Sequence, residues 1–292
     1  MRVTEGLITQ KYLVNQAKNA EKKLKLQTQL ATNSKLDTIS DNLPDALESI
    51  KINAQMKKNE TFLKNSENSK NFLDASLDSL ENATTEMQKI IVALQDVHNA
   101  INGANISTYA AQIKNSLASI VQSVSGKQNG MYLFGGTNNN QPPVTLDVNG
   151  HAVTTTADVS GSVEVQLSNE IKETINIPGN DLFATGIFEK INEILTTLEG
   201  GDIPSEAQRL AIDNSYSSLL NLQSIAAEKV NRMDDIAEVL TRQQDNLTEL
   251  LRKKQSIDPA ALIIELQNQD YLLQLSNKIL ASSYPSTVFD YL

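Results

Sequence analysis

The chain has 292 residues, a formal net charge of -10 at neutral pH and a pI near 4.8, which leaves no overall basic field to attract nucleic acid or anionic lipid. It has no cysteine, two histidines, and seven tyrosines and six phenylalanines as its only aromatic residues. Disulfides, thiolate or histidine metal sites, a hydrolytic triad and an aromatic-lined cofactor pocket therefore have little material. The longest unbroken apolar runs, such as Ile90 to Leu94 and Ala260 to Ile264, have five residues, against the roughly 20 needed to cross a bilayer. The first twenty residues lack the apolar stretch and small-residue cleavage site of a secretory leader, so no removable signal is expected.

Taken in chain order, residues 1–36 show helical spacing at Leu13, Ala17, Ala20 and Leu24 and a net charge of +5. A seven-residue repeat then runs from Met56 through Leu63, Leu73, Leu80, Met87 and Leu94 to His98 and Ile101, the pattern of one long helix facing partners in a bundle. A helix from about Pro44 to Asn102 would reach roughly 88 Å, too long for a compact globule. Asn102 and Gly103 should break it. A second helix follows at Ile106, Ala110, Ile113, Leu117, Ile120 and Val124, with Gly126 or Gly130 able to close it in the left-handed conformation.

Between about 140 and 180 the period changes to two. Val144, Leu146 and Val148, then Asn149-Gly150, then His151, Val153 and Thr155 predict a two-residue hairpin. Val163, Val165 and Leu167, followed by Ile171, Ile175 and Ile177, predict a second small sheet. A short helix carries Phe188, Ile191, Leu195 and Leu198 and ends at Gly200-Gly201. Asp202, ahead of Pro204, marks the start of a last long arm with apolar positions from Leu219 to Ile257. Pro259 should break that arm near Asp258. Residues 257–292 repeat helical spacing at Leu262, Leu266, Leu273 and Leu280 with a net charge of -3, so the two oppositely charged ends are expected to pair.

The fold class expected is mainly α with a small inserted β domain, an elongated helical bundle or coiled coil built by the N- and C-terminal arms. Residues 1–40 and 260–292 form paired terminal helices, 41–140 and 181–259 a discontinuous bundle, and 141–180 an inserted β domain that should be excisable as a tip. No candidate for catalysis stands out. Gly130 to Thr137 resembles a phosphate loop only in glycine spacing, since Gly136 stands where the lysine belongs; Tyr132, Leu133 and Phe134 are better read as plugging the end of the bundle. His98 sits on the apolar line as an interior histidine, His151 is an exposed strand residue, and Asp234, Asp235 and Glu238 form a solvated helix face.

The N-terminal Met1-Arg2-Val3-Thr4, the segment from Gly130 to Thr137 followed by Pro142-Pro143, and the terminal Phe289-Asp290-Tyr291-Leu292 resemble the hook-filament junction proteins of the bacterial flagellum, the hook-associated protein 3 family, relatives of flagellin. Thr32-Asn33-Ser34-Lys35-Leu36 stands where that family has Thr-Gly-Lys-Arg-Ile, and asparagine is the next best residue to glycine at a left-handed helix end. Ala227 to Met233 is similar to the family's Ala-x-x-Gly-x-Arg run, with Val230 in place of the glycine.

The resemblance implies a non-enzymatic structural adaptor joining the hook-associated layer to the flagellin filament, with no cofactor and no metal. Its partners would be other copies in a homo-oligomeric ring, hook-associated protein 1, flagellin and a cytoplasmic export chaperone, with no nucleic acid and no membrane insertion. It would leave the cell unfolded through the flagellar type III secretion channel, without a cleavable signal, and reside extracellularly on the flagellum. In the ring, Leu13, Ala17, Ala20 and Leu24 are expected to pack near Leu266, Leu273 and Leu280, while Val288, Phe289, Tyr291 and Leu292 contact a neighbour or the chaperone. Flagellin, the filament-forming subunit, shares the architecture and is the alternative; a helical enzyme or coiled-coil regulator using His98 or the Asp234 cluster is the rival from another class.

Overall fold

Three long helices begin where a side chain accepts backbone N–H groups that the opening turn leaves without partners. In the computed structural model, which describes residues 2–36, 38, 42–99 and 106–283, and for 2–6, 8–9, 99 and 280–283 the backbone alone, helix α1 spans Arg2–Thr32 and stops at Asn33, whose φ of 52° is left-handed. Asn42 Oδ1 accepts the Asp45 N–H at 3.3 Å and starts α2, Leu43–Asn99. Asp258 Oδ1 accepts from Ala260 at 3.0 Å and starts α7, Pro259–Ser283, with proline in the first helical position, where its missing N–H costs nothing. Helix α6, Glu206–Gln255, starts at Ser205 and not at Asp202: Ser205 Oγ accepts the Gln208 N–H at 3.3 Å while Gln208 Oε1 accepts the Ser205 N–H at 2.9 Å, a reciprocal capping box.

Between them lie α3 (Ile106–Val124), strands β1 (Lys127–Gln128), β2 (Met131–Tyr132), β3 (Val144–Leu146), β4 (Ala152–Thr154), β5 (Glu164–Gln166) and β6 (Lys172–Thr174), and helices α4 (Gly179–Ala184) and α5 (Ile187–Glu199). The fold is mainly α with a small β insertion, as the sequence indicates. Among the described residues, strands pair as antiparallel hairpins, β1 with β2, β3 with β4 and β5 with β6. The chain forms two compact units, 59–243 in one and 1–58 with 244–292 in the other.

The larger unit holds most of the core. Along α2, Asn59, Ser66, Leu73, Leu80, Met87 and Leu94 are buried at strict seven-residue intervals. The first two are polar because α6 lies close: Asn59 Nδ2 donates to the Leu240 carbonyl at 2.7 Å and Ser66 Oγ to that of Met233 at 2.9 Å. Further along, α3 and α5 join, and Leu80, Met87 and Ile90 share one cluster with Ile113, Leu117, Ile120, Ile191, Leu195, Leu219 and Leu222. Every apolar residue expected on α3 is buried except the first, Ile106, which is half-buried. His98 is exposed, not interior. The first turn of α6 lies beside Ile91, Leu94 and Gln95, so one turn further on His98 has passed the end of the helix that would cover it. Ile101, Asn102 and Gly103 lie outside the described residues.

The hairpin at Asn149-Gly150 departs from the expected register by one residue. Val144 pairs with Thr154 and Leu146 with Ala152, so the loop has three residues, Val148 to Gly150, and not two. Asp147 decides this: its carboxylate accepts the N–H groups of Asn149 and His151, both at 2.8 Å, and its carbonyl accepts that of Gly150 at 3.1 Å. Because strand side chains alternate, the slip turns Ala152 inward with Val144 and leaves Val153 exposed. The two-residue hairpin forms instead at Asn129-Gly130, where φ values of 51° and 81° fit a type I′ turn joining β1 to β2. Gly126 keeps a negative φ, and α3 closes without a left-handed residue at that position.

Residues 141–180 are bound into the helical core. Val144, Ala152 and Ile177 belong to the main cluster, and Leu167 fills a second one with Leu73, Val230 and Met233. From α6, Lys229 Nζ reaches the carbonyls of Thr174 and Asn176 at 3.3 Å each, and Arg232 pairs with Glu173. The glycines after Phe134 permit close crossing: a Cβ on Gly136, whose φ is 61°, would lie 2.5 Å from the Val159 carbonyl oxygen. Phe134 itself is fully buried, so Leu133 and Phe134 do plug the core, while Tyr132 stays half-exposed under the Lys127 ammonium.

Candidate functional site

In the unit formed by 1–58 and 244–292, α1 and α7 pack antiparallel along most of their lengths. Lys22 pairs with Glu265 at 2.8 Å and Lys23 with Asp270 at 2.6 Å; Tyr12 Oη donates to Asn277 Oδ1, and Gln16 Nε2 does so at 3.4 Å. Half-exposed ion pairs of this kind contribute about 1 kcal/mol or less each, so they set register and partner choice more than stability. On α1 the sheltered line is Tyr12, Gln16, Asn19, Lys23, Leu26 and Leu30, of which only Leu26 is fully buried. On α7 it is Leu262, Leu266, Gln269 and Leu273.

The residues that the sequence marked on α1 lie one position further round, about 100° from that line. Leu13, Ala17, Ala20 and Leu24 are all exposed, Leu13 at 58% and Leu24 at 64%. Within one chain they do not meet α7, whereas Leu266 and Leu273 face α1 and are half-buried. The side chain of Leu280, and Val288, Phe289, Tyr291 and Leu292, lie outside the described residues. A feature missed by sequence reading is a second apolar line on α7, opposite the first: Ile264, Tyr271, Leu272 and Leu275 are exposed. The spacing 264, 271, 275 was available as a signal, but a helix apolar on two sides has no single amphipathic face to find.

The turns that lead into this pair are tied down locally. Lys35 N–H donates to the Gln255 carbonyl at 2.8 Å, and Gln29 Nε2 donates to the Lys35 carbonyl at 2.9 Å. Lys35 Nζ pairs with Asp45 at 2.8 Å, and its hydrogen bond holds that carboxyl below the ordinary range. Lys254 pairs with Glu48 at 2.7 Å, which raises the lysine above its usual value.

Elsewhere the chemistry-bearing residues serve the fold. His151 is not on a strand; it precedes β4, half-buried, with Nε2 3.4 Å from Glu199, whose carboxyl is held low mainly by its hydrogen bond from Lys114. Asp234 pairs with Lys70 at 2.7 Å across α2 and α6. Burial lowers Lys229 below the usual lysine range. Among the described residues no cluster of histidine and carboxylate side chains could hold a metal ion, and no helix is long and apolar enough to cross a membrane.

The described residues thus define a helical protein whose ends pair with each other through polar contacts and turn apolar lines outward, a surface suited to packing against other protein. Several solved structures of flagellar proteins share this fold. A candidate flagellar hook-associated protein from Vibrio parahaemolyticus superposes with a TM-score of 0.65 at 15% identity, over 74% of this chain and 100% of that one. FlgL from Bacillus cereus does so with a TM-score of 0.59 at 17% identity, over 69% and 99%. Flagellar hook-associated protein 3 from Legionella pneumophila gives 0.59 at 13% identity, over 69% and 97%. No family model matches the chain, and no curated protein matches it in sequence.

Proposed function

We propose that this chain is a non-enzymatic structural adaptor of the bacterial flagellum, joining the hook-associated layer to the flagellin filament. The observation that carries the reading is the fold shared with the flagellar hook-associated proteins over roughly seven-tenths of the chain. The outward apolar lines on α1 and α7 support it, since exposed contiguous apolar surface marks an interaction site. Residues 1–40 with 260–292 act as the assembly region, 41–140 with 181–259 as the supporting bundle, and 141–180 as its β insertion. Copies associate in a ring, with Leu13, Ala17, Ala20 and Leu24 of one chain meeting the α7 surface of the next, between hook-associated protein 1 and flagellin.

Before assembly those apolar lines need protection, which a small cytoplasmic chaperone supplies, and the unfolded chain leaves through the flagellar export channel to reside on the flagellum. Ordering of the ends against neighbours then carries the entropic cost of coupled folding and binding. Deletion of the gene followed by microscopy tests the reading. Cells with bare hooks that release flagellin into the medium, rescued by the gene on a plasmid, are expected; normal filaments in the deletion strain would overturn it.

A further inference from the structure

The chain has three Asn-Gly pairs; Asn102-Gly103 lies outside the described residues, and Asn129-Gly130 and Asn149-Gly150 form the tips of hairpins with both asparagines exposed. Asn-Gly is the dipeptide most open to spontaneous loss of ammonia, because the glycine after it places no side chain in the way of its own nitrogen. That nitrogen attacks Cγ of the asparagine; the N–Cγ bond forms, the Cγ–Nδ2 bond breaks, and ammonia leaves with the amide proton, giving a succinimide. Water then opens the ring at either carbonyl to aspartate or isoaspartate. The net change is asparagine plus water to an acidic residue plus ammonia.

The two sites are not equivalent in the fold. At Asn149 the attacking N–H, that of Gly150, is engaged by the Asp147 carbonyl at 3.1 Å, and the flanking N–H groups of Asn149 and His151 are both held by Asp147 Oδ1 at 2.8 Å. Gly150 also lies against the Lys114 side chain, whose Cδ would be 3.6 Å from an added Cβ. Rotation of this turn into an attacking geometry breaks three hydrogen bonds together. At Asn129 the Gly130 N–H donates to nothing among the described residues, no atom lies within 4 Å of where a Gly130 Cβ would stand, and the flanking ladder is two residue pairs long.

We infer that Asn129 is a site of spontaneous deamidation in the native protein and that Asn149, with the same following residue, is shielded by the Asp147 turn. The test is incubation of the purified full-length chain in mildly alkaline buffer, with peptide mass spectrometry and isoaspartate detection at both positions over time. Native protein should accumulate acidic product at residue 129 several-fold faster than at 149. In concentrated urea the two rates should converge, because the following glycine is the same at both sites and the Asp147 turn is gone. Asp147→Ala, assayed in the same way, should accelerate Asn149 and leave Asn129 unchanged. Equal rates in the native state, faster reaction at 149, or a ratio that persists in urea would each overturn the inference.

Discussion

Asn192 on α5 completes the edge of strand β4 at Ala152: the Ala152 N–H donates to Asn192 Oδ1 at 2.9 Å, and Asn192 Nδ2 donates to the Ala152 carbonyl at 2.8 Å. One side-chain amide satisfies both backbone groups of a residue whose side chain is buried. Asn192→Leu would leave that N–H and carbonyl without partners in a sheltered position. Urea unfolding should show a loss of about 1–3 kcal/mol, and hydrogen exchange at Ala152 should speed up while exchange in α2 follows only global stability.

Lys229 links pH to stability through the opposite hairpin. Burial lowers its pKa in the folded chain below the usual 10.5, despite Glu173 and Asp181 nearby. The folded state therefore releases this proton before the unfolded state does. Stability from this group rises as pH climbs through the folded pKa toward the unfolded one, and the neutral amine keeps enough N–H groups for both carbonyls. Lys70, Lys190 and Lys254, held high by carboxylates, work in the other direction, and their window opens at the usual 10.5, where that of Lys229 ends. Subtracting the urea midpoints of Lys229→Met from those of wild type at a series of alkaline pH values should isolate a positive slope; a flat or negative difference would contradict it.

Gly179 tests the crossing at which the β insertion meets the helices. An added Cβ would collide with the Phe134 carbonyl oxygen and with the Val159 side chain, and none of these groups is a flexible tip. Gly179→Ala should cost about 1–3 kcal/mol by overpacking. Gly161→Ala, which would press on Thr137 from the same crossing, should be non-additive with it.

Excision of 141–180 would remove Val144, Ala152, Leu167 and Ile177 from the two buried clusters. A Gly-Ser replacement should therefore keep helical circular dichroism but lower the unfolding midpoint and bind a hydrophobic dye, in contrast to the free tip expected from sequence. Unchanged stability would mean that these residues pack only loosely.

On the proposed assembly surface, Tyr271→Ser with Leu275→Ser changes two exposed side chains and should shift stability by no more than about 0.5 kcal/mol each. Incorporation between hook and filament should nevertheless fail, as it should on removal of 283–292. Limited proteolysis of the monomer should trim both ends first and leave a resistant fragment of about 45–255, since nearly all fully buried apolar residues lie inside it. Normal motility in the double variant would separate this surface from assembly.

The sequence by itself determined the elements whose apolar residues admit one reading. The line from Ile106 to Val124 contains six apolar residues on one helical face, so any folded state must bury that face, and it does. Pro259 cannot donate an N–H, so the helix before it had to stop short of that residue, whatever its surroundings, and it ends at Gln255. Where the chain offers competing local solutions, only tertiary structure chose between them. Asn149-Gly150 was compatible with a loop of two residues or three, and the Asp147 carboxylate, with the fit of Ala152 beneath Asn192, selected three. His98 belonged to the repeat but lay beyond the end of its partner helix, a fact about where α6 begins. On α1 the apolar line and the line that meets α7 are adjacent and about equally marked in sequence. The partner's register, set by Lys22, Lys23 and Asn277, decided that Tyr12 and Leu26 turn inward and Leu13 and Leu24 outward.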